Sequence, residues 1–460
     1  MKKVLWSFVF VLSFFIFPFT NASAASNEQQ LVKEIKGIIE ENYVGTIHGD
    51  LQKAKTIPEI IEMLDTYSTY FTKKEFEEFI NSIELSTIGI GVIIEEHEDG
   101  IHILQVFENS GAFDAGVVAG DTIITINGQS VAGSSTQEVS SLLVGDENTK
   151  IEVTLRHADG TTSTSTITRK KFSLPNVESG LLFGNVGYIA MSSFSEDGAK
   201  LVKDALIQLQ QRGATSFILD LQNNGGGYVT TAQEITGLFP KAKIAFLLEE
   251  AHASYKVRAV NQNEKFPADT RILVNRYSAS ASEMLAATLQ DQKSAILYGE
   301  TTYGKGCMQG FFELQDGSYL KLTVGNFTGP LGKTINEVGV KPNIQTKTAP
   351  IFQAHYDAIK AQYTNYKELA SLKNVSDTKN LTVKVPSSLS SQLSEDKIQL
   401  IALGGNEVPI TAKVDGLSLT ITPSKPLTPG REYMLLAHPK AQKANKAQQG
   451  FYLRITTTKK

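Results

Sequence analysis

The chain has 460 residues, of which 41% are hydrophobic and 20% charged, enough apolar material for roughly three globular domains. Its formal net charge of −4 argues against general nucleic-acid binding, and its single cysteine, Cys307, excludes an intrachain disulfide. Seven scattered histidines (48, 97, 102, 157, 252, 355, 438), without an HExxH or Cys/His cluster, predict neither a metal centre nor another cofactor.

In chain order, Lys2 and Lys3 precede an apolar run, Val4 to Phe19, that ends at Ala22-Ser23-Ala24. This is the layout of a secretory signal peptide over residues 1–24, with an uncleaved membrane anchor as the alternative. Its removal leaves 42 basic against 48 acidic residues, a charge of −6. The expected location is therefore extracytoplasmic, and without disulfides burial alone must carry stability. Residues 25–87 read as a helical region, with Leu31, Ile35, Ile38 and Ile39 at helical spacing. Thr56 with Glu59, and Thr72 with Glu75, fit capping boxes.

Residues 88–171 change to short strands and glycine turns. Ile101–Phe107, Thr122–Asn127, Lys150–Leu155 and Thr161–Thr168 are predicted strands, and Ser135-x-x-Glu138 opens a short helix to about Leu143. Across 172–348 strands alternate with helices: Val186–Ala190, a helix near Asp197–Gln211, Ser216–Asp220, Ile272–Asn275, and a helix from Ala281 to about Gln290. That alternation predicts an α/β layer with crossover connections. Residues 349–375 read as a connecting helix, and 376–460 as an all-β sandwich with turns at Gly404-Gly405, Asp415-Gly416 and Pro429-Gly430.

The chemistry concentrates in two strings, Ser278-Ala-Ser-Ala-Ser-Glu283 and Gly304-Lys-Gly-Cys-Met-Gln309. A hydroxyl nucleophile (Ser280), an amine able to take its proton (Lys305) and an amide able to orient that amine (Gln309) make a complete acyl-transfer set without histidine. Ser278 and Ser282 are rival nucleophiles on composition, and Ser280-x-x-Glu283 equally fits a helix cap. A lysine serves as base only when neutral, which requires burial. Gly304 and Gly306 let the backbone approach closely beside it, while Cys307 reads as a packed thiol. The glycine turn Asp220-Leu-Gln-Asn-Asn224-Gly-Gly-Gly227 offers free amides at a strand end, with Gly226 the candidate oxyanion donor.

Together these strings resemble the C-terminal processing peptidases, or tail-specific proteases, of family S41. The likeness runs over roughly residues 30–346 and includes Leu64-Asp-Thr-Tyr-Ser68, Gly89-Ile-Gly-Val92, Gly120-Asp121, Asn127-Gly128, Gly299–Gln309 and Gly339-Val-Lys-Pro342. The resemblance implies a crotonase-like α/β serine peptidase core, to which residues 25–87 contribute, and a PDZ domain over 88–171. It implies Ser280 as nucleophile, Lys305 as general base, Gln309 as its orienting partner, and Ala281 and Gly226 as oxyanion amides. Gly89, Ile90, Gly91 and Val92 would receive a terminal carboxylate beside a strand edge that a peptide can extend. Arg169, at the join to the core, would couple PDZ position to the active site. Gln222, Gly225 and Asn343 depart from the arginine, proline and aspartate common in the family, which bears on turn rigidity rather than on the reaction class.

The C-terminal β region weakly resembles Ig-like modules of bacterial surface proteins, through Ile421-Thr-Pro423 and Leu427-x-x-Gly430-x-x-Tyr433. The expectation is an exported serine endopeptidase acting on proteins with exposed apolar C-termini. A cell-wall or protein contact through the β module and homo-oligomerisation are further expectations. The rival readings are a catalytically silent PDZ/Ig-like scaffold and a non-catalytic binder of apolar ligands.

Overall fold

The structure, a computed structural model, describes residues 24–97, 99–377, 380–440 and 449–458; apart from Ala24, the expected leader lies outside them. Among the described residues no helix is long and apolar enough to cross a membrane. The chain divides into two compact units, the first made of residues up to Lys73 together with Gln309–Thr323.

In the first unit, α1 (Ala24–Asn42) buries Val32, Ile35 and Ile39, one stripe at helical spacing. The short α2 (Ile57–Ile61) starts at Thr56, whose hydroxyl accepts from the Glu59 amide, and carries Pro58 in its first turn. β1 (Thr69–Phe71) pairs antiparallel with Tyr319–Lys321. Buried Ser68 accepts from the Thr323 N–H at 3.1 Å, and the Val44 N–H donates to the Thr323 carbonyl at 3.2 Å.

The second unit opens with α3 (Lys73–Ile83) and β2 (Ser86–Gly89). A six-stranded antiparallel module follows: β3 (Val92–His97), β4 (Gly100–Val106), α4 (Gly111–Asp114), β5 (Thr122–Ile126), β6 (Gln129–Ser130), α5 (Thr136–Leu143), β7 (Lys150–Arg156) and β8 (Thr162–Thr168). Its strands run in the order β3-β4-β5-β7-β8, with β6 beside β5, so β3 is an edge strand. Alternating residues of these strands, Ile101, Ile103, Ile123, Ile151 and Val153, close one core with Val139 and Leu143 of α5. The predicted cap of α5 is formed in full, Ser135 N–H on the Glu138 carboxylate and Glu138 N–H on the Ser135 hydroxyl. β9 (Lys170–Ser173) leaves the module and pairs with β2.

The α/β layer comprises β10 (Val177–Leu182), β11 (Val186–Met191), α6 (Gly198–Gln211), β12 (Ser216–Asp220), α7 (Val229–Thr236), β13 (Ile244–Glu250), β14 (Ser254–Arg258), β15 (Arg271–Val274), α8 (Ala281–Asp291), β16 (Ile296–Gly299), β17 (Cys307–Glu313), β18 (Tyr319–Thr328) and β19 (Ile344–Gln345). One sheet has the order β10-β11-β12-β15-β16-β19, with β11 to β19 parallel and β10 antiparallel. The interiors of β12 (Phe217, Ile218, Leu219) and β15 (Ile272, Leu273, Val274) are continuously apolar because both faces of this sheet are covered. Helices α6, α7 and α8 pack with Ile189, Leu219, Ile272 and Leu297 in one apolar core. β13 pairs with β14 and with Gly325–Thr328 of β18.

The expected connecting helix over 349–375 is corrected in both length and role. α9 (Pro350–Gln362) stops where Tyr363 leaves helical backbone, at φ −121° and ψ 48°. The chain then enters β20 (Lys367–Glu368) and β21 (Leu372–Val375). Nor is α9 a linker in space. Ala354 and Ala358 pack on Val186, Ile218, Leu273 and Tyr298 of the parallel sheet, on the face opposite α6–α8, while Tyr356 and Ile359 pack on Ile401, Met434 and Leu436. The remaining elements are β22 (Leu381–Lys384), α10 (Ser387–Ser390), β23 (Leu393–Ala402), β24 (Glu407–Val408), β25 (Ile410–Asp415), β26 (Ser418–Pro423), β27 (Glu432–Pro439) and β28 (Phe451–Thr457). They make a sheet ordered β20-β28-β27-β23-β24 and a second, β22-β26-β25, which share one apolar core.

His355 fastens α9 on both sides. Its Nδ1 accepts from the Gly404 N–H at 2.9 Å, which leaves Nε2 to donate to the Phe183 carbonyl at 2.9 Å. Burial lowers its pKa to about 4, so the folded chain holds a neutral ring where the unfolded chain titrates near 6.5. Unfolded protein therefore binds more protons between these values, and stability falls as pH drops from about 6.5 to about 4. The full span is worth about 3 kcal/mol. Urea-unfolding midpoints across that range should fall for the native chain and fall less for His355→Gln; parallel curves would refute the assignment.

Candidate active site

The parallel strands β12 and β15 are neighbours, and the loops after their C-terminal ends are laced together. This is the end of an α/β sheet where ligand sites form. Asn223 N–H donates to Asn275 Oδ1 at 3.0 Å, and Asn275 Nδ2 donates back to Asn223 Oδ1 at 2.9 Å. Ala279 N–H donates to the Asn224 carbonyl at 3.0 Å. Fully buried Asn224 reaches under the turn, its Nδ2 on the Met191 carbonyl at 2.8 Å.

The three serines that composition leaves equivalent are separated by this lacing. Ser278 Oγ donates to the Leu221 carbonyl at 2.7 Å and Ser282 Oγ to the Asn224 carbonyl at 2.9 Å, and both residues are wholly buried. Their hydroxyls brace the loops. Ser280 is half-buried and stands at φ +56°, ψ −115°, a conformation that costs a non-glycine residue about 1–3 kcal/mol. Such a sharp strand-to-helix turn is what lifts a nucleophilic hydroxyl clear of its own backbone.

Glu283 holds that turn in place. Its fully buried carboxylate accepts the Ser280 N–H at 2.9 Å, the Lys305 N–H at 2.7 Å, the Gly304 N–H at 2.6 Å and the Thr302 hydroxyl at 2.6 Å. Of the S-x-x-E cap read from the sequence, the Glu283 half is formed at the Ser280 N–H, and the same side chain goes further, tying the serine loop to the lysine loop. The predicted glycines answer to the same closeness. Gly304 has φ +100°, and a Cβ on Gly306 would stand 2.4 Å from the Asn336 nitrogen. Lys305 is half-buried and Cys307 is buried. Gln309 falls in the first unit, where its Nε2 donates to Thr323 Oγ1 at 3.4 Å.

Of the expected oxyanion amides, Ala281 N–H begins α8, where no carbonyl lies four residues back to engage it within the helix. Gly226 lies against it. A Cβ there would sit 2.8 Å from the Ala279 oxygen, 2.9 Å from Ser280 Cβ and 3.0 Å from the Ala281 nitrogen. Its own N–H, however, donates to Asn224 Oδ1 at 2.9 Å. At the end of β12, burial raises the Asp220 carboxyl to about 6, where it accepts from the Tyr188 hydroxyl at 2.8 Å.

In the β3–β8 module, Gly89, Ile90, Gly91 and Val92 form the loop that leads into edge strand β3, beside α5. The Ile90 carbonyl accepts from Ala112 N–H at 2.8 Å and the Gly91 carbonyl from Phe107 N–H at 3.0 Å. A trans peptide sets N–H opposite C=O, so the N–H groups of Gly91 and Val92 face the outer side of the loop. Gly91 is obligatory: at φ +83° its Cβ would fall 2.1 Å from that of Ser110. Arg169, expected at the join to the core, turns into the module. It donates to the Leu142 and Leu143 carbonyls at 2.8 and 3.1 Å, capping the C-terminus of α5, and to Thr149 Oγ1 at 3.1 Å.

The class defined by these features is a PDZ-bearing α/β protein with a strained serine at the mouth of a parallel sheet. Residues 185–346 match the description "Peptidase family S41" and residues 102–157 match "PDZ domain". The "Carboxy-terminal processing protease CtpA" of Bacillus subtilis (strain 168) is 36% identical over 284 residues, 62% of this chain and 61% of its own length. A "Probable CtpA-like serine protease" of Staphylococcus aureus (strain COL) is 31% identical over 337 residues, 73% of this chain and 67% of that protein. The solved photosystem II D1 C-terminal processing protease is 26% identical, with a TM-score of 0.47, over 72% of this chain and 96% of that one. The chain belongs to peptidase family S41, the carboxy-terminal processing proteases. Its match spans less than two thirds of the Bacillus relative's length.

Two outcomes test this geometry. Glu283→Gln places an amide hydrogen against backbone N–H groups, so stability should drop by about 1–3 kcal/mol. Labelling of Ser280 by a fluorophosphonate should slow about a hundredfold as the turn loosens; unchanged labelling would refute the tie. Gly226→Ala, whose Cβ would press on the Ala279 carbonyl and on Ser280, should lower both the melting temperature and the rate of Ser280 labelling, and a variant with both unchanged would refute the close approach.

Proposed function

We propose that this protein is an exported serine endopeptidase that takes hold of a substrate protein by its free, apolar C-terminus and cleaves the nearby chain. The observation that carries the reading is the shared carboxylate of Glu283, which joins the backbone of Ser280 to that of Lys305 while the two neighbouring serines are committed elsewhere. In this reading neutral Lys305 Nζ takes the Ser280 Oγ proton as Oγ attacks the peptide carbonyl carbon. The oxyanion is met by Ala281 N–H and by Gly226 N–H, the latter exchanging Asn224 Oδ1 for the substrate oxygen. Collapse breaks the C–N bond, Lys305 returns the proton to the leaving amine, and it then activates water to release the acyl group. Gln309 has its role as orienting partner from the family resemblance.

Tail capture rests on the loop amides of Gly91 and Val92 and on the unpaired edge of β3, which a peptide extends as a further strand. The apolar side chains of Ile93, Leu142 and Val144 reach solvent, which suits an apolar tail. By the same reading Arg169, which grips the end of α5, transmits tail binding to the core. Export is read from residues 1–24, and the two C-terminal sheets are read as an Ig-like module for surface or partner contact.

The test uses purified full-length protein, an unfolded substrate with an apolar C-terminus, and the same substrate with a C-terminal amide. The native chain should cleave the free-tailed substrate, and Ser280→Ala and Lys305→Ala should each lower the rate at least about a thousandfold. Amidation should raise KM with little change in kcat. Equal cleavage by all three proteins would overturn the assignment, and tail binding without cleavage would mark a silent scaffold.

A further inference from the structure

The hairpin of β3 and β4 carries a second cluster of chemistry that the peptidase reading does not use. The chain reverses between His97 and Gly100, and the register sets His102 opposite Glu95, two residues from His97 on the same strand. Side chains two apart share a face, so both imidazoles lie on one side of the hairpin. Their rings stack at 4.1 Å with 7° between planes. Asp99, in the turn, places Oδ1 2.8 Å from His102 Nε2 and 3.7 Å from His97 Nδ1. The candidate ligand atoms of the three residues all lie within 4.8 Å of one another. Arg156 Nη2 donates to the other oxygen of Asp99 and to its carbonyl at 3.1 Å, which fixes the carboxylate with Oδ1 toward the histidines. An outer partner of this kind is usual behind a ligating carboxylate.

We propose that His97, Asp99 and His102 bind one divalent transition-metal ion of the zinc class, pinning the end of β3 to β4. Two imidazole nitrogens and a carboxylate oxygen are a donor set that zinc and cobalt accept, with a fourth position left to water. Zinc bonds of about 2.1 Å in a tetrahedron set ligand atoms about 3.4 Å apart. The two separations from Asp99 Oδ1, 2.8 and 3.7 Å, bracket that value. The stack has to open, because a bound ion lies in the plane of each imidazole and two parallel rings cannot share one. Histidine χ2 is broad and both rings reach solvent, so the turn costs little. The histidine count and the lack of a known metal pattern gave no hint of this in the sequence, since the ligands converge only through the hairpin register.

Untagged full-length protein, titrated with Co²⁺ and competed with Zn²⁺, tests the proposal. The native chain should bind one ion, with the intense visible absorption of tetrahedral cobalt. His97→Ala, His102→Ala and Asp99→Asn should each weaken binding at least about tenfold. The metal-free melting temperature and fluorophosphonate labelling of Ser280 report whether each variant is folded, and any variant that is not is set aside in favour of the other two. Binding that survives undiminished in the folded variants, or a native chain that takes up no ion by about 100 µM zinc, overturns the proposal.

Discussion

A single buried carboxylate organises the candidate catalytic end of this molecule. Glu283 is wholly enclosed, and four donors from three segments converge on it: the serine turn, Thr302 and the Gly304-Lys305 backbone. A charge in such a place is tolerable only because it is saturated with hydrogen bonds. The arrangement also supplies what the strained Ser280 conformation lacks locally. A residue at positive φ persists when its surroundings over-determine it, and here the Glu283 bond at its N–H acts with the neighbouring Ala279 bond to Asn224.

Around that centre the glycines mark where backbone meets backbone. Gly226 abuts the serine turn and Gly306 abuts Asn336, each closer than a methyl group allows. Asn223 and Asn275 exchange side-chain bonds across the two strand-end loops, so neither loop can shift without the other. The parallel sheet below provides fixed strand ends, and the loops beyond them hold Ser280 and Lys305.

Much of this was legible in the residues alone. The strand–helix alternation after Val186, the PDZ strands and the full cap of α5 follow from local signals, and the S41 membership from the order of the motifs. What escaped depends on distant partners. Ser278 and Ser282 are indistinguishable from Ser280 until the Leu221 and Asn224 carbonyls are seen to claim them. Glu283 reads as a cap because three of its four partners lie about twenty residues away in sequence. Arg169 was placed by its position near a domain join, whereas its fork geometry finds the carbonyls at a helix end. The length of α9 was overestimated because what ends it is a distant partner: Tyr363 and Tyr366, just past its last turn, pack on His438.

The double packing of α9 bears on how this chain is put together. Its small residues, Ala354 and Ala358, let it lie flat on Val186, Ile218, Leu273 and Tyr298, and its larger ones face Met434 and Leu436. A chain cut at residue 346, where the family match ends, would leave the underside of the β12–β15 pair wet. The helix that follows the family match is therefore a slab of the α/β body rather than a tether, and the two β sheets rest on its far side.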